Sequence, residues 1–176
     1  GSATAPPGST TDRYTFARWT GDYTGTSPTG SVTIDQPKTV RANWIHEFRI
    51  EVQSSPTSQS ITVDGSGVVT TPAVLWWAET SSHTLTAPAS IAVGADTRWN
   101  FASWSGGVTT QTLTVSSVSG PATYTATYSR QFRVTVVTVP AAGPTVLVDG
   151  TPYTAPVWLD EGTSHSFDAG ATPQSG

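Results

Sequence analysis

Three histidines, His46, His83 and His165, are the residues of this 176-residue chain best suited to moving a proton or holding a metal. Zinc needs three or four convergent nitrogen, sulfur or oxygen ligands. The chain has no cysteine, so thiolate sites and disulfides are both excluded. His83 and His165 fall at equivalent places in an internal repeat, and His46 has no counterpart in the other copy. The expectation for the pair is a hydrogen-bonded turn histidine at a strand start, not a ligand or a base. Asp12, Asp22, Asp160 and Glu161 are oxygen donors of the kind calcium takes. No Asp-x-Asp-x-Asp-Gly pattern gathers them on one loop, so they read as solvated loop charge. The twelve acids are scattered through turns and give no support for a glycosidase pair. No Gly-x-Ser-x-Gly, no phosphate loop and no Ser/His/Asp set repeated in register is visible. The sequence therefore predicts no catalytic residue, no metal and no cofactor. Its three histidines should not converge with each other or with a carboxylate pair in a deep pocket; His83 or His165 within hydrogen-bond reach of both a nucleophile and an acid would argue for an enzyme.

The aromatics give a stronger surface signal. Trp19 and Trp104 sit in matching motifs and read as core. Trp76 and Trp77 are neighbours, and neighbours on a strand point to opposite faces. One of the two is then exposed unless another unit covers it. Trp158 lies in the equivalent strand, followed by Leu159. Trp76, Trp77 and Trp158 are thus candidates for packing between units or for stacking on a sugar ring. Lys38, the single lysine, lies in a turn that looks exposed, a poor setting for a Lys–Asn crosslink.

The elements that must carry these residues repeat along the chain. FRIEVQSS…ITVDGSG…TTPAVLWWAETSSHTLTA, from Phe48, recurs as FRVTVVTV…VLVDGTP…TAPVWLDEGTSHSFDA, from Phe132; the spacing is 132 − 48 = 84. RYTFARWTGDYTG…SVTIDQPKTVRANW, from Arg13, recurs as RWNFASWSGG…QTLTVSSVSGPATYTATY, from Arg98; the spacing is 98 − 13 = 85. Self-similarity at a fixed period marks an array. Helical periodicity is missing, and alternation with β-branched and aromatic residues is widespread, as in Tyr124-Thr125-Ala126-Thr127-Tyr128. Asp64-Gly65 and Asp149-Gly150 fall between strand-like runs as tight turn-formers. Pro72 and Pro156 stand where the next strand starts, and a missing N–H is tolerated there.

Composition narrows the classes further. Charged residues are 11% of the chain, against about 25% in average soluble domains, and the formal charge is −4. Nothing funnels an anionic backbone, so a nucleic-acid partner is not expected. No polybasic patch and no long apolar run points to membrane insertion within the segment.

At RYTFARWTGDYTG…VTIDQPKTVRANW the sequence resembles the divergent B-repeat family first known from internalin surface proteins. The matching positions are Phe16, Trp19 and Gly21, then Lys38-Thr39-Val40-Arg41-Ala42-Asn43-Trp44. The second copy keeps Phe101, Trp104, Gly106 and Tyr124–Tyr128 but lacks the Lys-Thr-Val. VLVDGTPYTAPVWLDEGTSHSF resembles a PEGA-type module, with a Val-Asp-Gly hairpin and a His before an outgoing strand. The resemblance implies an extracellular, cell-surface repeat protein of bacteria or archaea, and no reaction.

The expected fold is all-β, with tandem Ig-like β-sandwich repeat units of about 85 residues. Residues 1–11 read as linker, 12–47 as the C-terminal half of a unit, 48–130 as one complete unit, and 131–176 as the N-terminal half of a further unit. The ends join naturally in the alignment: either the segment belongs to a longer tandem array, or neighbouring copies complete its two half-units. The expected role is a non-catalytic structural module of a surface protein, sheath or filament, assembling head-to-tail with further copies of itself. The alternative is a carbohydrate- or surface-binding module, with polysaccharide as partner, or an accessory domain of a secreted hydrolase.

Overall fold

The computed structural model describes residues 10–139 and 144–170. The expected linker at 1–11 lies outside the described residues through residue 9, as does the chain beyond residue 170. Among the described residues the protein is all-β, with no helix. In chain order the strands are β1 (Asp12–Gly21), β2 (Val40–Ser55), β3 (Ser60–Val63), β4 (Gly67–Thr70), β5 (Ala73–Ala78), β6 (His83–Thr86) and β7 (Ser90–Ala92). There follow β8 (Thr97–Trp104), β9 (Thr112–Val115), β10 (Ala122–Val134), β11 (Leu147–Val148), β12 (Thr151–Pro152), β13 (Val157–Asp160) and β14 (Phe167–Asp168).

The chain divides into two compact units. One holds residues 1–87 with 103–127, the other 88–102 with 128–176. Residues 88–102 and 128–130, part of the expected complete unit, therefore lie in the second of these.

In the first unit, β2 pairs antiparallel with β1 over its first half and with β5 over Glu47–Val52. Its last residues, Ile50–Ser55, pair parallel with Ala122–Thr127 of β10. A separate sheet runs β4-β3-β6-β9. Both sheets supply the core: Ile50 and Val52 from β2, Ile61 from β3 and Leu85 from β6 are at most 1% exposed. Alternation sets this, because Ile50, Val52 and Ser54 are buried while Glu51 and Gln53 between them are not. Two sheets sharing one apolar core are consistent with a β-sandwich. Burial stops along β2: no residue of β1 and none of residues 40–49 is fully buried. The second unit has β7 paired with β8, β13 paired with Gln131–Val134 of β10, and a small sheet β12-β11-β14.

The turns follow local chemistry. Asp64 and Gly65 both take positive φ (51° and 73°), as do Asp149 and Gly150 (49° and 76°). Those are the left-handed angles that tight hairpins need, and Asp and Gly tolerate them best. Pro72 stands directly before β5 and Pro156 directly before β13.

Candidate functional site

The Asp-Gly turns do more than reverse the chain. Asp64 Oδ1 accepts the backbone N–H of Thr84 at 2.8 Å, and Oδ2 meets His83 Nδ1 at 2.8 Å. His83 Nε2 lies 2.9 Å from Ser81 Oγ, which in turn donates to the Ala78 carbonyl at 2.5 Å. The same set recurs in the second unit. Asp149 Oδ1 accepts Ser166 N–H at 2.9 Å, and Oδ2 meets His165 Nδ1 at 2.6 Å. His165 Nε2 lies 2.6 Å from Thr163 Oγ1, which donates to the Asp160 carbonyl at 2.6 Å. This corrects the sequence reading, in which no Ser/His/Asp set recurred and no histidine met both an acid and a nucleophile. The signal was present: the Asp of each Asp-Gly turn and a hydroxyl two residues before each His keep step with the repeat.

In a catalytic set the hydroxyl donates to the imidazole, which takes its proton as a base. Here the Ser81 hydroxyl donates to the Ala78 carbonyl, and the Thr163 hydroxyl donates to the Asp160 carbonyl. The geometry is that of a clasp pinning a hairpin tip to the start of the neighbouring strand. The His83 hydrogen bond, joined by the Thr84 N–H, holds the Asp64 carboxyl below the usual carboxylate range despite some desolvation. His165 and the Ser166 N–H do the same for Asp149. The Trp77 ring stacks on His83 at 4.1 Å and 11°.

His46 is also held between acceptors. Nε2 lies 3.0 Å from Asp12 Oδ2 and Nδ1 lies 3.3 Å from Glu79 Oε2, with Tyr14 stacked at 4.4 Å. The Asp12 hydrogen bond outweighs the opposing desolvation and, with Glu79, raises the imidazole above its ordinary 6.5. The sequence reading left His46 without a counterpart, yet the residue 84 positions on is Arg130 (130 − 46 = 84). Arg130 faces Glu161 at 3.4 Å and lies 4.8 Å over the Phe132 ring. His46 faces Glu79 and lies against Phe48. Both positions set a nitrogen side chain that can carry positive charge between a carboxylate and an aromatic ring, an equivalence invisible to a letter-by-letter alignment.

The tryptophans divide. Trp77 is 5% exposed and belongs to the core. Trp76 and Trp158 are half-buried, and each carries a guanidinium over its ring: Arg13 at 4.4 Å and Arg98 at 4.5 Å. A sugar stacking on that face would have to displace a cation–π contact. Trp104 is 1% exposed and donates its indole N–H to the Gln111 carbonyl. Trp19 makes the matching bond to Ser27 but is only half-buried, against the expectation that both indoles would be core. It lines an open cleft with Tyr23, Gly30, Val32 and Val40. Among the described residues no group of three or more His, Asp and Glu could hold a metal ion. Lys38 is less exposed than its turn implied, and its Nζ pairs with Asp35 at 2.8 Å.

The difference between Trp19 and Trp104 is general. Leu85 is 0% exposed, whereas its equivalent Phe167 is 54% exposed. Ile50 and Val52 are buried, whereas Val134 and Val136 are intermediate. Ala126 is buried, whereas Ala42 is intermediate. Every one of these positions keeps an apolar residue, and in every case the copy nearer an end is the less covered one. No protein-family model, no curated protein and no solved structure matches this chain.

Proposed function

We propose that the protein is a non-catalytic structural module of an extracellular surface protein, sheath or filament. It is built of tandem Ig-like sandwich units and joins head-to-tail with further copies of itself through residues 12–47 and 131–170. The observation that carries this reading is the pairing of covered and uncovered core positions. Phe167 is exposed, and Trp19, Ala42, Val134 and Val136 are only half-buried, yet all five match the residues that build the buried core elsewhere. Burying such faces is the main driving force for association. The low charge, the absence of cysteine and the clasped turns suit a durable exposed fibre whose stability grows with copy number. A carbohydrate-binding role would need a platform other than Trp77, whose ring is buried.

The test is multi-angle light scattering on the 176-residue chain over a range of concentrations. The mass should rise with concentration, and Phe167→Asp should hold it at one chain. A mass of one chain at every concentration, with Phe167 still exposed to solvent-borne quenchers or labels, refutes the reading.

A further inference from the structure

We propose that a second copy of this chain completes the joint in one fixed register. Val134–Val139 of one copy lies parallel to Lys38–Asn43 of the next, and residues 165–168 lie antiparallel to residues 31–34. The inference rests on the assembly reading above and specifies its contact.

The chain contains its own template. Ile50–Ser55 pairs parallel with Ala122–Thr127, Ile50 against Ala122 and Ser55 against Thr127. Moving the first strand forward and the second back by 84 residues gives Val134–Val139 and Lys38–Asn43. In the facing sheet β6 pairs antiparallel with β9, with Thr84 against Thr114 and Leu85 against Leu113. Carrying β6 forward along the clasp (165 − 83 = 82) sets Ser166 at Thr84 and Phe167 at Leu85. Carrying β9 back (113 − 32 = 81) sets Thr33 at Thr114 and Val32 at Leu113.

Three observations fit this register. First, the edges match. Val40–Asn43 is paired with β1, and β14 is paired with β11 as β6 is with β3. The edge that β9 occupies on β6 is the one at which β14 would receive residues 31–34. Second, the side chains to be matched are apolar and not fully covered: Phe167 is 54% and Ile34 73% exposed, and Val134 and Val136, which stand at Ile50 and Val52, are intermediate. Third, the clasp that fixes β6 recurs beside β14: Asp149–His165–Thr163 repeats Asp64–His83–Ser81. A slip by one residue would turn Phe167 to the solvent face, so the register is strongly specified. The contact uses a different surface on each copy and propagates without closing unless the rotation brings it back.

Because the chain has no cysteine, engineered thiols report on register alone. Chains carrying Ser166→Cys are mixed with chains carrying Thr33→Cys and oxidised. Directly opposed Cβ atoms lie about 4.5–5.5 Å apart and come within disulfide reach. Crosslinking should exceed that of Ser166→Cys with Val32→Cys or with Ile34→Cys by about tenfold, since those partners point to the other face. It should vanish when Phe167→Asp is added to the Ser166→Cys chain. Equal crosslinking at residues 32, 33 and 34 overturns the fixed register. Absence of crosslinking while light scattering still shows association overturns this contact and leaves the assembly reading standing. Absence of both removes the two together.

Discussion

Trp104→Ala and Trp19→Ala remove the same side chain from the same motif in the same compact unit, and they should not cost the same. Trp104 is 1% exposed, so truncation loses nearly the whole transfer free energy and leaves a cavity, about 3–5 kcal/mol. It also leaves the Gln111 carbonyl without its indole donor, which adds about 1 kcal/mol. Trp19 is half-buried and its Ser27 acceptor is exposed, so water replaces the lost bond and only part of the transfer term is forfeited. About 1–2 kcal/mol is expected there. The assay is urea unfolding followed by far-ultraviolet circular dichroism in dilute solution, since the fluorescence of seven tryptophans would mix several sites. With an m-value of about 2 kcal/mol/M, Trp104→Ala should lower the midpoint by about 2–3 M and Trp19→Ala by about 0.5–1 M. A Trp104→Ala chain with no folded baseline beside a cooperative Trp19→Ala chain has the same ordering. Equal midpoint shifts would refute the assignment of one indole to a closed core and the other to an open face.

Stability should have two pH limits. The folded-state pKa values of Asp64 and Asp149 are lowered, so their contribution is present above the ordinary 3.8 and is lost as pH falls through the lower folded values. The folded-state pKa of His46 is raised, so its contribution is complete below 6.5 and is lost as pH rises through the higher folded value. Thermal melts between these limits should show the plateau, and His46→Arg should remove the His46 share of the alkaline decline, because Arg130 shows that the position accepts a guanidinium. An unchanged alkaline limb in His46→Arg would count against the ion-pair account. Ser81 should not react with a fluorophosphonate probe, and the chain should not hydrolyse p-nitrophenyl acetate above background; labelling of Ser81 would mean that its proton reaches His83 after all.

Strands and turns were legible because their causes are local. Alternation placed β2 and β10, Asp-Gly marked two hairpin tips, and proline marked the starts of β5 and β13. The clasps were not read, because Asp64 and His83 lie 19 residues apart and meet only once the hairpin closes against β6. The difference between Trp19 and Trp104 was illegible for a related reason. A motif specifies which way a side chain points, whereas burial depends on what lies across from it. Trp77 was a surface candidate because neighbours on a strand point to opposite faces, a rule that does not say which of Trp76 and Trp77 turns inward; at 5% exposed, Trp77 is the inward one.

The length of β2 has a mechanical consequence. Its sixteen residues run without a break through the boundary at which the sequence period restarts. β1 grips residues 40–48, β5 grips residues 47–52 and β10 grips residues 50–55. A pull along this strand acts across ladder bonds that lie side by side and must fail together. A tether between separate beads would instead stretch first and peel one bond at a time. Along residues 40–55 the backbone that builds the core is also the one that would bear the tension.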